Sequence, residues 1–170
     1  MTEPELNKRV AIIGAGLIGC SWAALFMKHG WDVTIWDRNP DVYEYVSDKI
    51  MRALTDLENL HDPKSETGSF TLCDELHDAI SNVDYVQENV SENLDVKHTL
   101  FAELDEHVAP SVPIASSTTA YTWSDLFGGC VHQDRFLIAH PFNPPHLIPL
   151  VELSGHHDPV LTQATEIYEG

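Results

Sequence analysis

Basic side chains are scarce in this 170-residue sequence, where nine Lys and Arg stand against 27 Asp and Glu and the formal charge is -18. A surface of that sign makes nucleic acid a poor partner, because phosphate recognition draws on Lys and Arg. It also repels anionic substrates at long range unless the site is locally basic. Cysteine is nearly absent: Cys20, Cys73 and Cys130 are odd in number and scattered, with no disulfide-framework, redox or ligand spacing. That usage fits a reducing, cytoplasmic setting, and Cys20 reads as a small packing residue. No apolar run reaches the roughly 20 residues that span a bilayer, so no membrane partner is expected. Residues 1–9 lack the signal-peptide pattern. The ten His are scattered, and none has a second ligand at metal spacing, His140 and His146 being separated by a Pro-Pro loop. No metal is expected. Internal repeats and low-complexity blocks are missing as well.

What remains is an ordinary globular composition, 43% hydrophobic and 21% charged, in a chain of one domain's length. Its organising stretch is Val10-Ala11-Ile12-Ile13-Gly14-Ala15-Gly16-Leu17-Ile18-Gly19. An apolar strand enters a G-x-G-x-x-G loop, and an apolar-periodic helix leaves it. Gly14 permits the tight turn, Gly16 lets backbone approach a pyrophosphate, and Gly19 lets the helix pack against the strand. The free N–H groups at the helix start then hold negative charge. The next strand, 33–36, ends at Asp37, twenty-three residues after Gly14, where the acid that binds the adenosine ribose diol is expected. Arg38 follows it and raises NADP as an alternative. The Asp37 carboxylate repels a 2′-phosphate, so NAD is the expected cofactor.

Periodicity predicts helices over 41–60, 74–80, 93–108, 121–127 and 158–168, and strands over 70–72, 84–88, 112–117, 135–140 and 147–152. Residues 61–69 read as a polar loop. Over 93–108 the face expected toward the sheet is Leu94, Thr99, Leu100, Leu104 and Val108. Strands alternating with helices predict an α/β fold, Rossmann-type, with a mostly parallel doubly wound sheet. Ligands in such sheets bind beyond the carboxyl ends of the strands. Gly14, Asp37, Glu88, Ser116, Ser117 and His140 all fall at such ends.

His140 closes an apolar strand and precedes a Pro-rich turn. Imidazole, which titrates near pH ~6.5 as a side-chain type, can take or give a proton there. Glu152 follows twelve residues later, and if the turn reverses the chain its carboxylate can reach the imidazole and fix the tautomer. Such a pair beside a nicotinamide serves alcohol oxidation, the alternative being a strand-end His bonded to backbone and a solvated Glu. The Ser116-Ser117-Thr118-Thr119 cluster lacks a glycine elbow for a nucleophilic serine. It reads as hydrogen-bonding to substrate or nicotinamide, or as a plain strand end.

The stretches 10–19, Glu88-Asn89-Val90-Ser91-Glu92-Asn93-Leu94-Asp95-Val96-Lys97, 115–119, His140-Pro141-Phe142-Asn143-Pro144-Pro145 and Leu150-Val151-Glu152 together resemble the NAD-binding domain of the 3-hydroxyacyl-CoA dehydrogenase superfamily. The run from His140 to Glu152 is most similar to the branch of lambda-crystallin (L-gulonate 3-dehydrogenase) and carnitine dehydrogenase. The resemblance implies a catalytic His140–Glu152 pair and NAD contacts at Leu17, Ile18, Asp37, Glu92, Lys97 and Asn143. The family's substrate-binding serine falls on Thr119, which keeps the hydroxyl and adds a methyl. Acyl-CoA members hold the nucleotide partly with basic residues on the excursion after the second strand, but here 41–75 is dominated by Asp and Glu. A small polar hydroxy acid is therefore the expected substrate, rather than an acyl-CoA. The family also carries a C-terminal helical domain that dimerises. The expectation is an NAD-binding domain over 1–170 without that helical domain, a homodimer where it is present, and weak or no turnover alone. The alternatives are a non-catalytic dinucleotide-binding or crystallin-like protein and a 3-hydroxyacyl-CoA dehydrogenase fragment.

Overall fold

Strands covered by helices on both faces are apolar throughout, and β1 (Arg9–Ile13) obeys this, with Val10 through Ile13 buried. The computed structural model describes residues 7–60 and 67–169. Residues 1–6, 61–66 and 170 lie outside the described residues, and with them most of the loop expected over 61–69 and of the N-terminal stretch. The remaining strands are β2 (Asp32–Trp36), β3 (Phe70–Leu72), β4 (Tyr85–Glu88), β5 (Ile114–Ser116), β6 (Phe136–Pro141) and β7 (Val151–Ser154). They form one sheet in the order β3-β2-β1-β4-β5-β6-β7. Every pairing is parallel except the last, in which β7 runs antiparallel to β6. The strand order reverses direction between β1 and β4, and that switch opens the crevice where such sheets take ligands.

The two-residue period of a strand divides the core into two layers. Val10 and Ile12 join the layer under α1 (Leu17–Lys28), α2 (Tyr43–Leu60) and α6 (Asp158–Glu169). Ala11 and Ile13 face the other layer, under α3 (Leu76–Ile80), α4 (Leu94–His107) and α5 (Trp123–Phe127). Along α2 the spacing of Val46, Ile50, Leu54 and Leu57 buries one face, after a 3-10 turn at Pro40–Val42 in which Asn39 accepts from the Asp41 N–H. Asn93 caps α4 by accepting from Val96 N, and Thr122 with Asp125 forms a reciprocal capping box on α5.

Two expectations are corrected. On α4 the buried face carries Lys97, Leu100, Phe101, Leu104 and Asp105, whereas Thr99 is exposed and returns its hydroxyl to Asp95 O. Periodicity assigns charged residues to solvent, but these two find charged partners inside. The last strand begins at Val151 rather than 147, because the chain must first complete the turn through Asn143 and Pro144, joined by a cis peptide bond.

Asp105 accepts from the backbone N–H groups of Val131 (2.5 Å) and His132 and from Arg135 Nη2 (3.0 Å), while Arg135 also donates to Val108 O and Ala109 O. Burial opposes its ionisation, but the Val131 N–H, Arg135 and His132 outweigh it and hold the carboxyl below the usual range. The unfolded state then binds more protons, so this contribution is present above the unfolded value of about 3.9 and is lost as the pH falls through the folded one. The unfolding midpoint is expected to drop as the pH falls from about 5 through the unfolded value and below it. Asp105→Asn, already weaker at neutral pH, should lose less over that interval; an equally steep fall would reject the assignment.

Candidate active site and cofactor crevice

Gly14 has φ +99°, and a Cβ placed on it would lie 2.7 Å from the carbonyl of Asn89 and 2.9 Å from Val90 N. A Cβ on Gly19 would lie 1.9 Å from Gly14 O. Both are therefore glycine by conformation or contact. Gly16 differs, since no heavy atom lies within 4 Å of its Cβ position. It borders open space at the start of α1, where no side chain caps the helix and no acid occupies the first turn. Leu17 is 60% exposed, and Ile18 is half-buried. The N–H groups of this turn and the positive end of the helix dipole suit a pyrophosphate. Asp37 is fixed beside them: its Oδ2 accepts from Ala15 N at 2.7 Å and its Oδ1 from Asn39 N at 2.9 Å. Arg38 is exposed. The crevice thus supplies the open backbone, donors and acid that a dinucleotide requires. A separate cleft of about 620 Å³, lined by Lys8, Arg9, Asp32 and Asp84 among others, opens at the opposite edge of the sheet and contains none of these groups.

Beyond β4 lies a buried charge network. Glu88 Oε1 accepts from Lys97 Nζ at 2.8 Å and from Val90 N at 2.7 Å, and Glu88 Oε2 accepts from Ser116 Oγ at 2.5 Å. Lys97 also meets Glu92 Oε2 at 3.4 Å. Burial pushes the Glu88 carboxyl above its ordinary range against the pull of Lys97 and its hydrogen bonds. Glu92 Oε1 accepts from Thr118 Oγ1 (2.8 Å) and Thr119 N (2.7 Å). Burial opposes ionisation here too, but these donors and Lys97 hold Glu92 below the usual carboxylate range. Lys97, expected at the cofactor, is 1% exposed and turns its ammonium inward. It reaches the crevice through Glu92. Ser116 and Thr118 are likewise committed to Glu88 and Glu92, and Thr119, exposed at this strand end, holds Glu92 Oε1 with its hydroxyl only at 3.4 Å.

The β6–β7 register sets His140 opposite Glu152, and residues so paired project from the same face. His140 Nδ1 lies 3.0 Å from Glu152 Oε2. A carboxylate only accepts, so Nδ1 carries the proton and Nε2 keeps its lone pair in the neutral ring. The imidazole is 29% exposed and so accessible to substrate. Asn143 is exposed on the following loop. That loop is pinned to α1 and α2 by a residue considered in the sequence only for metal spacing. His146 donates its backbone N–H to Ser21 Oγ (3.0 Å), its Nδ1 lies 2.6 Å from the same hydroxyl, and its Nε2 lies 3.5 Å from Asp56 Oδ2. Cys20 is buried with its thiol pushed up to about 11 by burial, which suits packing and not nucleophilic chemistry. Among the described residues no group of three or more His, Cys, Asp or Glu is placed to hold a metal, and no helix is long and apolar enough to cross a membrane.

A doubly wound sheet with an open glycine turn, an acid at the end of its second strand and its polar groups gathered at the carboxyl edge defines a dinucleotide-binding domain of the dehydrogenase type. Residues 9–168 match the family model of the 3-hydroxyacyl-CoA dehydrogenase NAD-binding domain, and the chain belongs to that family, with NAD as its cofactor. The L-carnitine dehydrogenase of Streptomyces coelicolor is 41% identical over 156 residues, covering 91% of this chain and 49% of that protein. Lambda-crystallin of Oryctolagus cuniculus is 37% identical over 153 residues, covering 86% of this chain and 48% of its own length. The 3-hydroxybutyryl-CoA dehydrogenase of Escherichia coli K12 superposes with a TM-score of 0.84 at 25% identity, over 96% of this chain and 36% of that one. The chain spans roughly a third to a half of the length of the curated relatives it matches.

Proposed function

We propose that this chain is the cofactor-binding half of an NAD-dependent dehydrogenase that oxidises the 3-hydroxyl of a small polar hydroxy acid. The observation that carries the reading is the 3.0 Å contact between His140 Nδ1 and Glu152. NAD, when bound, supplies the acceptor for the hydride that leaves the carbinol carbon. His140 Nε2 takes the hydroxyl proton as the carbonyl forms, and Glu152 balances the imidazolium and holds the ring. Thr119 hydrogen-bonds the substrate. Glu92, positioned by Lys97, and Asn143 face the nicotinamide side of the crevice, with Leu17, Ile18 and the glycines at the pyrophosphate and Asp37 at the ribose.

The preference against acyl-CoA rests on charge. Between residues 41 and 75 there are nine acids and three bases, and Arg52 is already paired with Asp48 at 2.9 Å. A nucleotide phosphate finds few free cations there, whereas a hydroxy acid bearing a positive group is attracted by the same field. L-Carnitine, named for the Streptomyces coelicolor relative, has that chemistry.

NADH fluorescence titration and single-turnover NAD reduction test the reading, using the chain alone and the chain joined after Gly170 to the C-terminal half of the Streptomyces coelicolor relative. Saturable NADH binding tighter than NADPH binding is expected, with reduction by L-carnitine or 3-hydroxybutyrate exceeding that by 3-hydroxybutyryl-CoA. Equal NADPH affinity refutes the role of Asp37. Turnover of the CoA ester alone refutes the substrate class, and binding without any hydride transfer in the joined protein refutes the catalytic role.

A further inference from the structure

A line of side-chain hydrogen bonds runs through the sheet layer under α6 and ends on the backbone that walls the glycine turn. Tyr168, near the end of α6, donates its hydroxyl to Gln87 Oε1. The Tyr85 hydroxyl lies 2.9 Å from that of Tyr168. Since the single Tyr168 proton is used on Gln87, Tyr85 must be the donor to Tyr168. Gln87 Nε2 then donates to Ser117 Oγ at 2.9 Å, and Ser117 donates to Asn89 Oδ1 at 2.7 Å. Trp22 Nε1, from α1, also donates to Ser117 at 3.3 Å. A hydroxyl has one proton and two lone pairs, so Ser117 is saturated and its direction is determined. Asn89 Nδ2 closes the line by donating to Gln87 O.

Asn89 is the residue whose carbonyl would lie 2.7 Å from a Cβ on Gly14, and its N–H donates to Ile13 O at 2.7 Å. Its position therefore bounds the turn on which the cofactor rests. Gln87 and Tyr85 are fully buried and Tyr168 half-buried against them, so water is a poor substitute for a lost partner at the Gln87 amide.

We propose that Tyr168 is a positioning residue for NAD binding: through Gln87 and Ser117 it sets Asn89 against the Gly14 turn, and so couples the seating of α6 to cofactor affinity. The proposal rests on NAD binding and is independent of the catalytic roles of His140 and Glu152. Because the line is directional, two tyrosines in contact have different consequences. Tyr168→Phe deprives Gln87 Oε1 of its donor and frees the amide that orients Ser117. Tyr85→Phe removes a buried hydroxyl beside it but leaves the Tyr168–Gln87 bond and everything beyond.

The test is NADH fluorescence titration of the 170-residue chain, with thermal unfolding of each variant in parallel. Tyr168→Phe is expected to raise the NADH dissociation constant about tenfold, the effect of one buried hydrogen bond expressed at the site. Tyr85→Phe should lower the unfolding midpoint comparably and change the dissociation constant less than about twofold. Ser117→Ala interrupts the same line further on, so Tyr168→Phe/Ser117→Ala should bind no more weakly than the weaker single variant. An unchanged dissociation constant in both Tyr168→Phe and Ser117→Ala overturns the proposal. Equal losses from both tyrosine variants, or losses that multiply in the double variant, overturn it too.

Discussion

Replacing His140 by Asn is expected to slow hydride transfer by about 10²- to 10⁴-fold at saturating NAD, the range that removal of a positioned general base commands. The argument starts from the ladder: β7 returns antiparallel to β6, and His140 is paired with Glu152. With Nδ1 committed to the carboxylate at 3.0 Å, Nε2 is the only ring nitrogen able to receive a proton. Asn keeps a polar side chain of similar reach but has no basic nitrogen, so the hydroxyl proton has no acceptor. Glu152→Gln is expected to lose activity through a different route, because an amide can donate to Nδ1 and trap the tautomer in which Nε2 bears the proton. Single-turnover NADH formation in the joined protein measures both, and NADH titration shows whether cofactor binding survives. An Asn variant retaining more than about a tenth of the parent rate would dismiss His140 as the base.

Lys97→Met should be strongly destabilising, costing about 3–5 kcal/mol by urea unfolding at neutral pH. Glu88 is fully buried, and its ionised form depends on the ammonium 2.8 Å away together with Ser116 and Val90 N. Without Lys97 an uncompensated carboxylate stays in the core. Burial already pushes Glu88 upward, and the substitution pushes it further. A carboxyl whose folded value is raised loses stability as the pH climbs from the unfolded value of about 4.3 toward the folded one, so the penalty should be smallest near pH 4 and grow toward neutrality. Glu88→Gln/Lys97→Met removes both charges and should recover much of the loss. A single-variant loss below about 1 kcal/mol would mean that the pair is solvated or readily replaced.

Much of the architecture was legible in one dimension because its signals are local. The glycine triplet, the apolar strand before it and Asp37 lie within one βαβ unit, and each has a steric or electrostatic reason to be what it is. The alternation of strands and helices implied the sheet, and the eleven residues between His140 and Glu152, with a proline turn among them, allowed the two to meet if the chain reversed. The α4 face was misread for a physical reason: periodicity counts Lys97 and Asp105 as solvent-facing, and only their partners on other elements, Glu88 and Arg135, make burial tolerable. Of the hydroxyls at the end of β5, legible in the sequence either as ligand contacts or as a plain strand end, Ser116 and Thr118 are engaged by Glu88 and Glu92, acids that come from another strand end. An acid closing a buried strand, with a lysine nine residues on, was the one signal that pointed toward that network.

Fold class, cofactor and the strand ends that carry the crevice thus follow from short-range patterns, since turns, caps and strand alternation depend on neighbours in the chain, while the family follows from the resemblance of motifs spread along it. The inward turn of Lys97, the anchoring of the proline loop by His146 and the line from Tyr168 to Asn89 depend on groups 9 to 125 residues apart. Hydrogen bonds and ion pairs act over a few ångströms and are specified by geometry, so residue types and spacings cannot assign these partners before the sheet brings them together.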